Sequence, residues 1–131
     1  MQTKSMISWI LRLVVAGILL QTLYYKFTAH PDSVHIFSAL GVEPYGRIGL
    51  GIIELITAGL VLMPRTQLYG MVLSLGIILG AIFSHLLVLG VNVQNDGGGL
   101  FTLAIVVLIA CAIYLIMHKD EVRKLIQNWI K

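Results

Sequence analysis

Four long apolar segments limit the fold of this chain more than any other feature of its sequence. They cover residues 6–25, 47–63, 68–91 and 100–117, and each is about as long as a helix that crosses roughly 30 Å of hydrocarbon. None of them alternates polar and apolar residues as a membrane-barrel strand would. Only 11% of the residues are charged, against about a quarter in soluble domains. The sequence therefore predicts an all-α membrane protein, a four-transmembrane-helix bundle that forms one domain over residues 1–131.

The first apolar segment is predicted to remain as a membrane span rather than to be removed as a signal peptide. Lys4 precedes it, as in a signal peptide, but Arg12 interrupts the apolar run. No pair of small residues precedes a cleavage point after Tyr25.

The basic residues are divided unequally between the two ends of the predicted bundle. Four spans put both termini on one side, together with the turn at residues 64–67. The basic residues of that side are Lys4, Arg65, Lys119, Arg123, Lys124 and Lys131. The other side has only Lys26 and Arg47, at the ends of spans. Because Lys and Arg favour the cytoplasmic side of a membrane, we expect the N-terminus and the C-terminus to be cytoplasmic.

Two segments outside the spans have the pattern of amphipathic helices. In HPDSVHIFSALG, Pro31 suits a first helical turn, and Val34, Phe37 and Leu40 recur at helical spacing. This predicts a short amphipathic helix in the first outer loop, lying on the membrane surface. Residues 118–131 place apolar side chains on one face and basic ones elsewhere. They predict a cytoplasmic amphipathic tail, for which contact with anionic lipid is favoured over a dedicated partner site.

Small residues recur at four-residue spacing in the third span. They are Gly70 and Ser74, followed by Gly76, Gly80 and Ser84. Such a stripe lets helix backbones approach closely in lipid. It predicts packing within the bundle, with homodimerisation as the alternative.

Four ionisable residues within or at the ends of spans form the candidate site: Arg12, Lys26, Glu54 and His85. An ionisable side chain inside a membrane costs a few kcal/mol and by default indicates a function. At about 1.5 Å of rise per residue, Glu54 lies roughly 10 Å and His85 roughly 9 Å below the outer ends of their spans. Arg12 lies roughly 9 Å above the inner end of the first span, and its long side chain can point towards Glu54.

These depths predict a polar pocket that opens near the outer face. Glu54 would be flanked by Arg12 from below and by His85 at its own level, with Lys26 over the mouth. A histidine can donate or accept a hydrogen bond, as quinone carbonyls and proton relays require. Further polar residues predicted near the pocket are Gln21, Thr22, Tyr25, Arg47, Asn92 and Asn95. The alternative is a structural ion pair between Arg12 and Glu54 that fixes helix packing.

Residue types exclude several other kinds of site. The single Cys111 excludes an internal disulfide or a C-x-x-C redox pair. Because only one histidine and one carboxylate converge, no metal site is predicted. His85 and His118 lie at opposite ends of the bundle, which argues against a bis-histidine haem. No nucleic-acid partner is expected.

Several motifs, taken in order, carry a resemblance to a known family. They are LQTLYYKF closing the first span, ALGVEPYGR leading into the second, GIIEL around Glu54, the PRT turn, AIFSH ending at His85, and NDGGGLF opening the fourth span. Their order resembles the DoxX family of bacterial four-helix membrane proteins. The resemblance implies a multi-pass protein of the bacterial inner (plasma) membrane, and it carries over Arg12, Lys26, Glu54 and His85 as polar positions. Founding members of that family belong to a thiosulfate:quinone oxidoreductase, which implies a redox setting.

The leading interpretation is a subunit of a membrane redox system whose pocket binds a quinone or a small polar or anionic ligand. Quinone is then the candidate cofactor, and the partners are the lipid bilayer with a second copy of the chain or other redox subunits. Any enzymatic role would be that of a quinone-linked oxidoreductase subunit that is not self-sufficient. The alternative is a non-catalytic assembly or scaffold subunit in which the buried charges specify helix packing. A small transporter is disfavoured, because no span is broken by proline and no internal repeat is evident.

Overall fold

The computed structural model of the protein describes residues 2–93 and 97–130. These residues form helices joined by turns, so the all-α prediction is confirmed. The helices are α1 (Gln2–Phe27), α2 (Pro31–Ala39), α3 (Tyr45–Leu62), α4 (Gln67–Ser84), α5 (Gly99–Met117) and α6 (Lys119–Trp129). A π-helical turn, His85–Leu89, extends α4.

Four of the helices are long and apolar enough to cross a membrane. They are Thr3–Phe27, Tyr45–Leu62, Gln67–Leu89 and Gly99–Met117. Each contains most of one predicted span, with differences at the ends; the first helix, for example, extends beyond residues 6–25 in both directions. The chain is therefore a multi-pass membrane protein. We call the end of the bundle that carries α2 the α2 end, and the end that carries α6 the α6 end.

The four spanning helices form a ring in which α1 and α4 each pack against both α3 and α5. Buried apolar side chains fill its centre: Val15, Leu19, Val61, Met71, Val107, Cys111 and Tyr114. Large apolar side chains such as Ile52, Ile56 and Ile116 are exposed on the outside of the ring. In a bilayer this outer surface contacts lipid, so close packing and polar contacts, rather than burial from water, hold the helices together.

Helices α3 and α4 approach each other closely at Gly70, near the start of α4. A Cβ atom at this position would lie 2.5 Å from the backbone nitrogen of Val61 and 2.8 Å from the carbonyl carbon of Leu60. Both neighbours are backbone atoms, which cannot move aside as a flexible side chain can. Gly70, which was predicted to let helix backbones approach closely, does so at this contact.

Gly70→Ala should lower the free energy of unfolding by about 1–3 kcal/mol, the usual cost of an overpacked contact. Gly59→Ala is the matched control, because no atom lies within 4 Å of a Cβ built at Gly59. There the gain in helix propensity, up to about 1 kcal/mol, should dominate. Thermal unfolding in detergent, followed by circular dichroism, measures both variants. Equal stability of the two would contradict the close approach of α3 and α4.

The short helix α2 packs on the bundle at the ends of the spanning helices. It begins at Pro31, and the ring nitrogen of His30 accepts a hydrogen bond from the backbone N–H of Asp32. Ser33 and Phe37 are buried, and the helix contacts α1, α3 and the π-helical turn. The predicted loop helix is therefore present, and its apolar side covers the α2 end of the bundle.

Candidate functional site

The carboxylate of Glu54, in the middle of α3, is held by two side chains of α1. Its Oε1 lies 3.1 Å from Nζ of Lys26, and its Oε2 lies 2.8 Å from Oγ1 of Thr22. Thr22 and Lys26 are one helical turn apart, so they share the face of α1 that meets α3. The side chain of Glu54 is 4% exposed and that of Lys26 is 12% exposed. The two opposite charges therefore compensate each other in a largely buried position.

Arg12 does not flank Glu54, and the prediction of that contact is wrong. Its Nε donates to the carbonyl oxygen of Val61 at 2.7 Å, and its Nη2 donates to that of Leu62 at 2.9 Å. The guanidinium also lies over the ring of Trp9, 4.0 Å from its centroid. Val61 and Leu62 end α3, and the last carbonyls of a helix have no intrahelical donor and carry the negative end of its dipole. The guanidinium therefore serves these carbonyls, whereas the carboxylate of Glu54 is paired with Lys26.

Arg47 has a matching role at the α2 end. Its Nη1 donates to the carbonyl oxygen of Lys26 in the last turn of α1, and its Nε lies 2.9 Å from Oε1 of Glu43. Each helix of the antiparallel α1–α3 pair thus supplies an arginine that caps the C-terminal end of the other. Arg47, predicted near the pocket, is a capping residue in this structure.

His85 opens the π-helical turn that ends α4. Its Nδ1 lies 2.9 Å from the carbonyl oxygen of Gly90, and its ring packs edge-on against Phe101, with centroids 5.4 Å apart. Because a carbonyl oxygen only accepts, Nδ1 carries a hydrogen, and Nε2 of the neutral ring is left as an acceptor. π-Helical turns inside helices occur frequently at functional sites. Here the turn fixes both the orientation and the tautomer of the imidazole.

A cavity of about 800 Å³ lies at the α2 end, between all four spanning helices and α2. Small-molecule sites commonly measure about 300–1,000 Å³ and combine apolar walls with a few convergent polar groups. The predicted site residues that line this cavity are Gln21, Thr22, Tyr25, Lys26, Glu54 and His85. The Glu54–Lys26 pair and the imidazole of His85, from three different helices, therefore share one cavity.

Some lining residues were not predicted from the sequence. Asp32 and Ser33 come from α2, and Ser84 precedes His85 on α4. The spacing of apolar residues in α2 indicated a helix with one apolar face, but it gave no sign of what that face would cover. The sequence feature that could have indicated a polar cavity under α2 was a polar residue within its buried face, Ser33.

Two glycines of the third-span stripe, Gly76 and Gly80, also line the cavity. No atom lies within 4 Å of a Cβ built at either position. These glycines leave space inside the bundle, whereas Gly70 lets two helices touch. The stripe thus serves two purposes, of which the sequence predicted one.

Asn92, another of the predicted polar residues, is not among the residues that line the cavity. Oδ1 of Asn92 accepts a hydrogen bond from the backbone N–H of Gly97 in the connection before α5, and Asn95 lies outside the described residues. Over residues 2–93 and 97–130, no three His, Cys, Asp or Glu side chains are grouped so that they could hold a metal ion.

Comparisons of the chain with protein-family models, with curated proteins and with solved structures returned no match.

Proposed function

We propose that this protein is a ligand-binding membrane subunit of a redox system, and that its large cavity takes a quinone or a related molecule with a polar head and an apolar body. The observation that carries the proposal is the shared cavity. It combines an apolar wall with the carboxylate of Glu54, the ammonium of Lys26 and the imidazole of His85. A cavity of this kind inside a membrane bundle suits a molecule that partitions into lipid.

The polar groups match both redox forms of a quinone. Lys26 can donate a hydrogen bond to a quinone carbonyl. Nε2 of the neutral His85 ring and the carboxylate of Glu54 can accept hydrogen bonds from the hydroxyls of a quinol. The side chains hold and orient the head group, whereas electrons would have to come from a partner subunit that carries a redox centre.

The proposal also includes membership of the DoxX family and location in the bacterial inner membrane, because the sequence motifs resemble those of that family. The distribution of basic residues supports cytoplasmic termini. At the α6 end, the basic residues without an ion pair among the described residues are Lys4, Arg65, Lys119, Arg123 and Lys124. At the α2 end, Lys26 and Arg47 each form an ion pair with a carboxylate.

Native mass spectrometry of the detergent-solubilised protein with decylubiquinone tests the proposal. Wild type should retain one molecule. Glu54→Gln should reduce retention about tenfold, or about 1.4 kcal/mol, because it removes a charged acceptor that orients the head group and holds Lys26. Equal retention by both proteins would contradict the role of Glu54.

A pair of glycine variants separates loss of the cavity from loss of a charge. Gly80→Leu should fill the cavity and abolish retention while every polar group remains. Gly59→Leu, at an open position of α3 outside the cavity, should bind as wild type does. If wild type retains no quinone, or if Gly80→Leu retains as much as Gly59→Leu, the ligand proposal is wrong.

The second candidate function is a non-catalytic assembly or scaffold subunit. One observation favours it: the charge of Glu54 is already compensated by Lys26, and its Oε2 also lies beside the hydroxyl of Thr22. A pair that is complete within the chain suits a role in fixing helix packing. Under this proposal the Gly80→Leu variant should remain functional in assembly.

A further inference from the structure

The side chains that line the large cavity offer a ligand more free hydrogen-bond acceptors than free donors. The two redox forms of a quinone differ in the same property. The oxidised head group has carbonyl oxygens, which only accept, whereas the reduced head group, the quinol, has hydroxyls that can donate. The balance of donors and acceptors in the cavity therefore decides which form is bound more tightly.

The imidazole of His85 offers the cavity an acceptor. Its Nδ1 is occupied by the carbonyl oxygen of Gly90, at 2.9 Å. The residue is 5% exposed and forms no ion pair with any described residue, so the neutral ring is favoured over a buried cation. Nε2 has no hydrogen-bond partner among the described residues. It is also not buried, because the buried side-chain nitrogen without a partner in this part of the chain is Nε2 of His118. Nε2 of His85 is therefore accessible to a ligand in the cavity that the residue lines.

Two further side chains that line the cavity can accept but not donate. Asp32, at the start of α2, has a side chain that is 44% exposed, and its Oδ2 lies 3.9 Å from Nδ1 of His30, too far for a hydrogen bond. The hydroxyl of Ser84 donates to the carbonyl oxygen of Gly80 at 2.9 Å, so it presents only lone pairs to the cavity. Both residues can accept a hydrogen bond from a ligand.

Among the described side chains that line the cavity, Lys26 alone donates without accepting, and it is already engaged. Its Nζ lies 3.1 Å from Oε1 and 3.3 Å from Oε2 of Glu54, so a turn towards a quinone carbonyl would weaken a largely buried ion pair. The one hydroxyl hydrogen of Thr22 is engaged as well, because Oγ1 lies 2.8 Å from Oε2 of Glu54 and 2.8 Å from the carbonyl oxygen of Leu19. The lining side chains that both donate and accept favour neither redox form; they are Gln21, Tyr25 and Ser33.

We propose, resting on the function proposed above, that the cavity binds the quinol form of its ligand more tightly than the quinone form. A hydroxyl of the quinol donates to Nε2 of His85, and the carboxylates of Glu54 and Asp32 offer further acceptors. The quinone form lacks these hydrogens and competes with Glu54 for Lys26. Because tighter binding of the reduced form stabilises it, the midpoint potential of the bound couple rises. One additional hydrogen bond corresponds to about tenfold in affinity, which for a two-electron couple is about 30 mV.

Anaerobic competition between decylubiquinol and decylubiquinone for the solubilised protein tests this preference, with the retained ligand identified by native mass spectrometry. Wild type should retain the quinol about tenfold over the quinone. A redox titration of the bound couple, followed by its ultraviolet absorbance, should give a midpoint potential about 30 mV above that of the same couple in empty micelles. The dimethyl ether of decylubiquinol has the same ring and tail but no hydroxyl hydrogen, and it should be retained no better than the quinone.

His85→Phe should lower the preference for the quinol about fivefold, because it keeps an aromatic ring beside Phe101 but removes the acceptor. Asp32→Asn should lower the preference as well, because an amide donates as well as accepts. The exposure of Asp32 should leave the fold of this variant intact even if His85→Phe does not fold. Asp120→Asn is the matched control, because Asp120 is an exposed acid of α6 outside the cavity, and it should leave the preference unchanged.

Three results would overturn the preference while leaving the quinone site in place. They are equal retention of the two forms by wild type, an unchanged midpoint potential of the bound couple, and an undiminished preference in both Asp32→Asn and folded His85→Phe. Retention of neither form would instead contradict the proposed function itself, and with it the preference.

Discussion

Glu54→Leu should lower the free energy of unfolding by about 3–5 kcal/mol, the cost typical of removing one partner from a buried ion pair. The variant would leave Lys26, with a side chain only 12% exposed, without a carboxylate beside it. It would also remove an oxygen that lies 2.8 Å from the hydroxyl of Thr22. Unfolding in mixed micelles, followed by circular dichroism, measures the loss.

The double variant Glu54→Leu with Lys26→Leu is the control for this prediction. Replacing both members of a buried pair by apolar residues is often neutral, so the double variant should recover most of the lost stability. The departure from additivity then gives the coupling between the two side chains. If the double variant loses the sum of the two single losses, the two residues are not coupled.

The same double variant distinguishes the two proposed functions. It removes both charges from the large cavity while keeping the bundle stable. If the protein binds a quinone head group, the variant should fold normally and retain little decylubiquinone. If the charges serve only helix packing, the variant should assemble with its partners as wild type does.

The spanning helices could be predicted from the sequence because the thickness of a bilayer fixes the length of an apolar helix. The depths of Glu54 and His85 could be predicted for a similar reason. A regular helix advances by a constant rise, so counting residues from the end of each span placed both side chains near the same end of the bundle. The structure has both of them lining one cavity.

Contacts that depend on the direction of a long side chain could not be predicted in this way. The long side chain of Arg12 can extend several ångströms towards either end of α1. Counting residues along the helices compares only the depths of side chains, and it takes no account of the carbonyl oxygens at the end of α3 that have no intrahelical donor. The pairing of Lys26 and Thr22 with Glu54 had a detectable signal. The two residues are four apart on one face of the first span, near the end of that span that precedes α2.

The roles of α2 and of the third-span glycines were ambiguous for a different reason. A helix has the same amphipathic pattern whether its apolar face contacts lipid or the end of a helix bundle. Phe37 alone therefore could not show that α2 lines a cavity. A glycine lacks a side chain, and the sequence does not show whether the space left free is filled by the backbone of another helix or remains open for a ligand. Only the packing distinguishes Gly70 from Gly80.

Arg12→Met should lower the free energy of unfolding by about 2–4 kcal/mol, with about 1–3 kcal/mol from the buried carbonyl oxygen of Val61 left without a donor and about 1 kcal/mol from the lost bond to the part-buried carbonyl oxygen of Leu62. The variant would also lose the contact of the guanidinium with Trp9. Thermal unfolding in detergent measures the loss. Arg12→Lys is the control: it keeps the charge but cannot reproduce the planar fork, so its stability should be intermediate.

The position of Arg12 away from the large cavity makes a second measurement informative. At temperatures where the variant is folded, Arg12→Met should retain decylubiquinone as wild type does, whereas Glu54→Gln should not. A loss of retention without a loss of stability would contradict the capping role and return Arg12 to the ligand site. A loss of stability with retention unchanged would confirm that the buried charge of Arg12 holds α3 in place and does not serve the cavity.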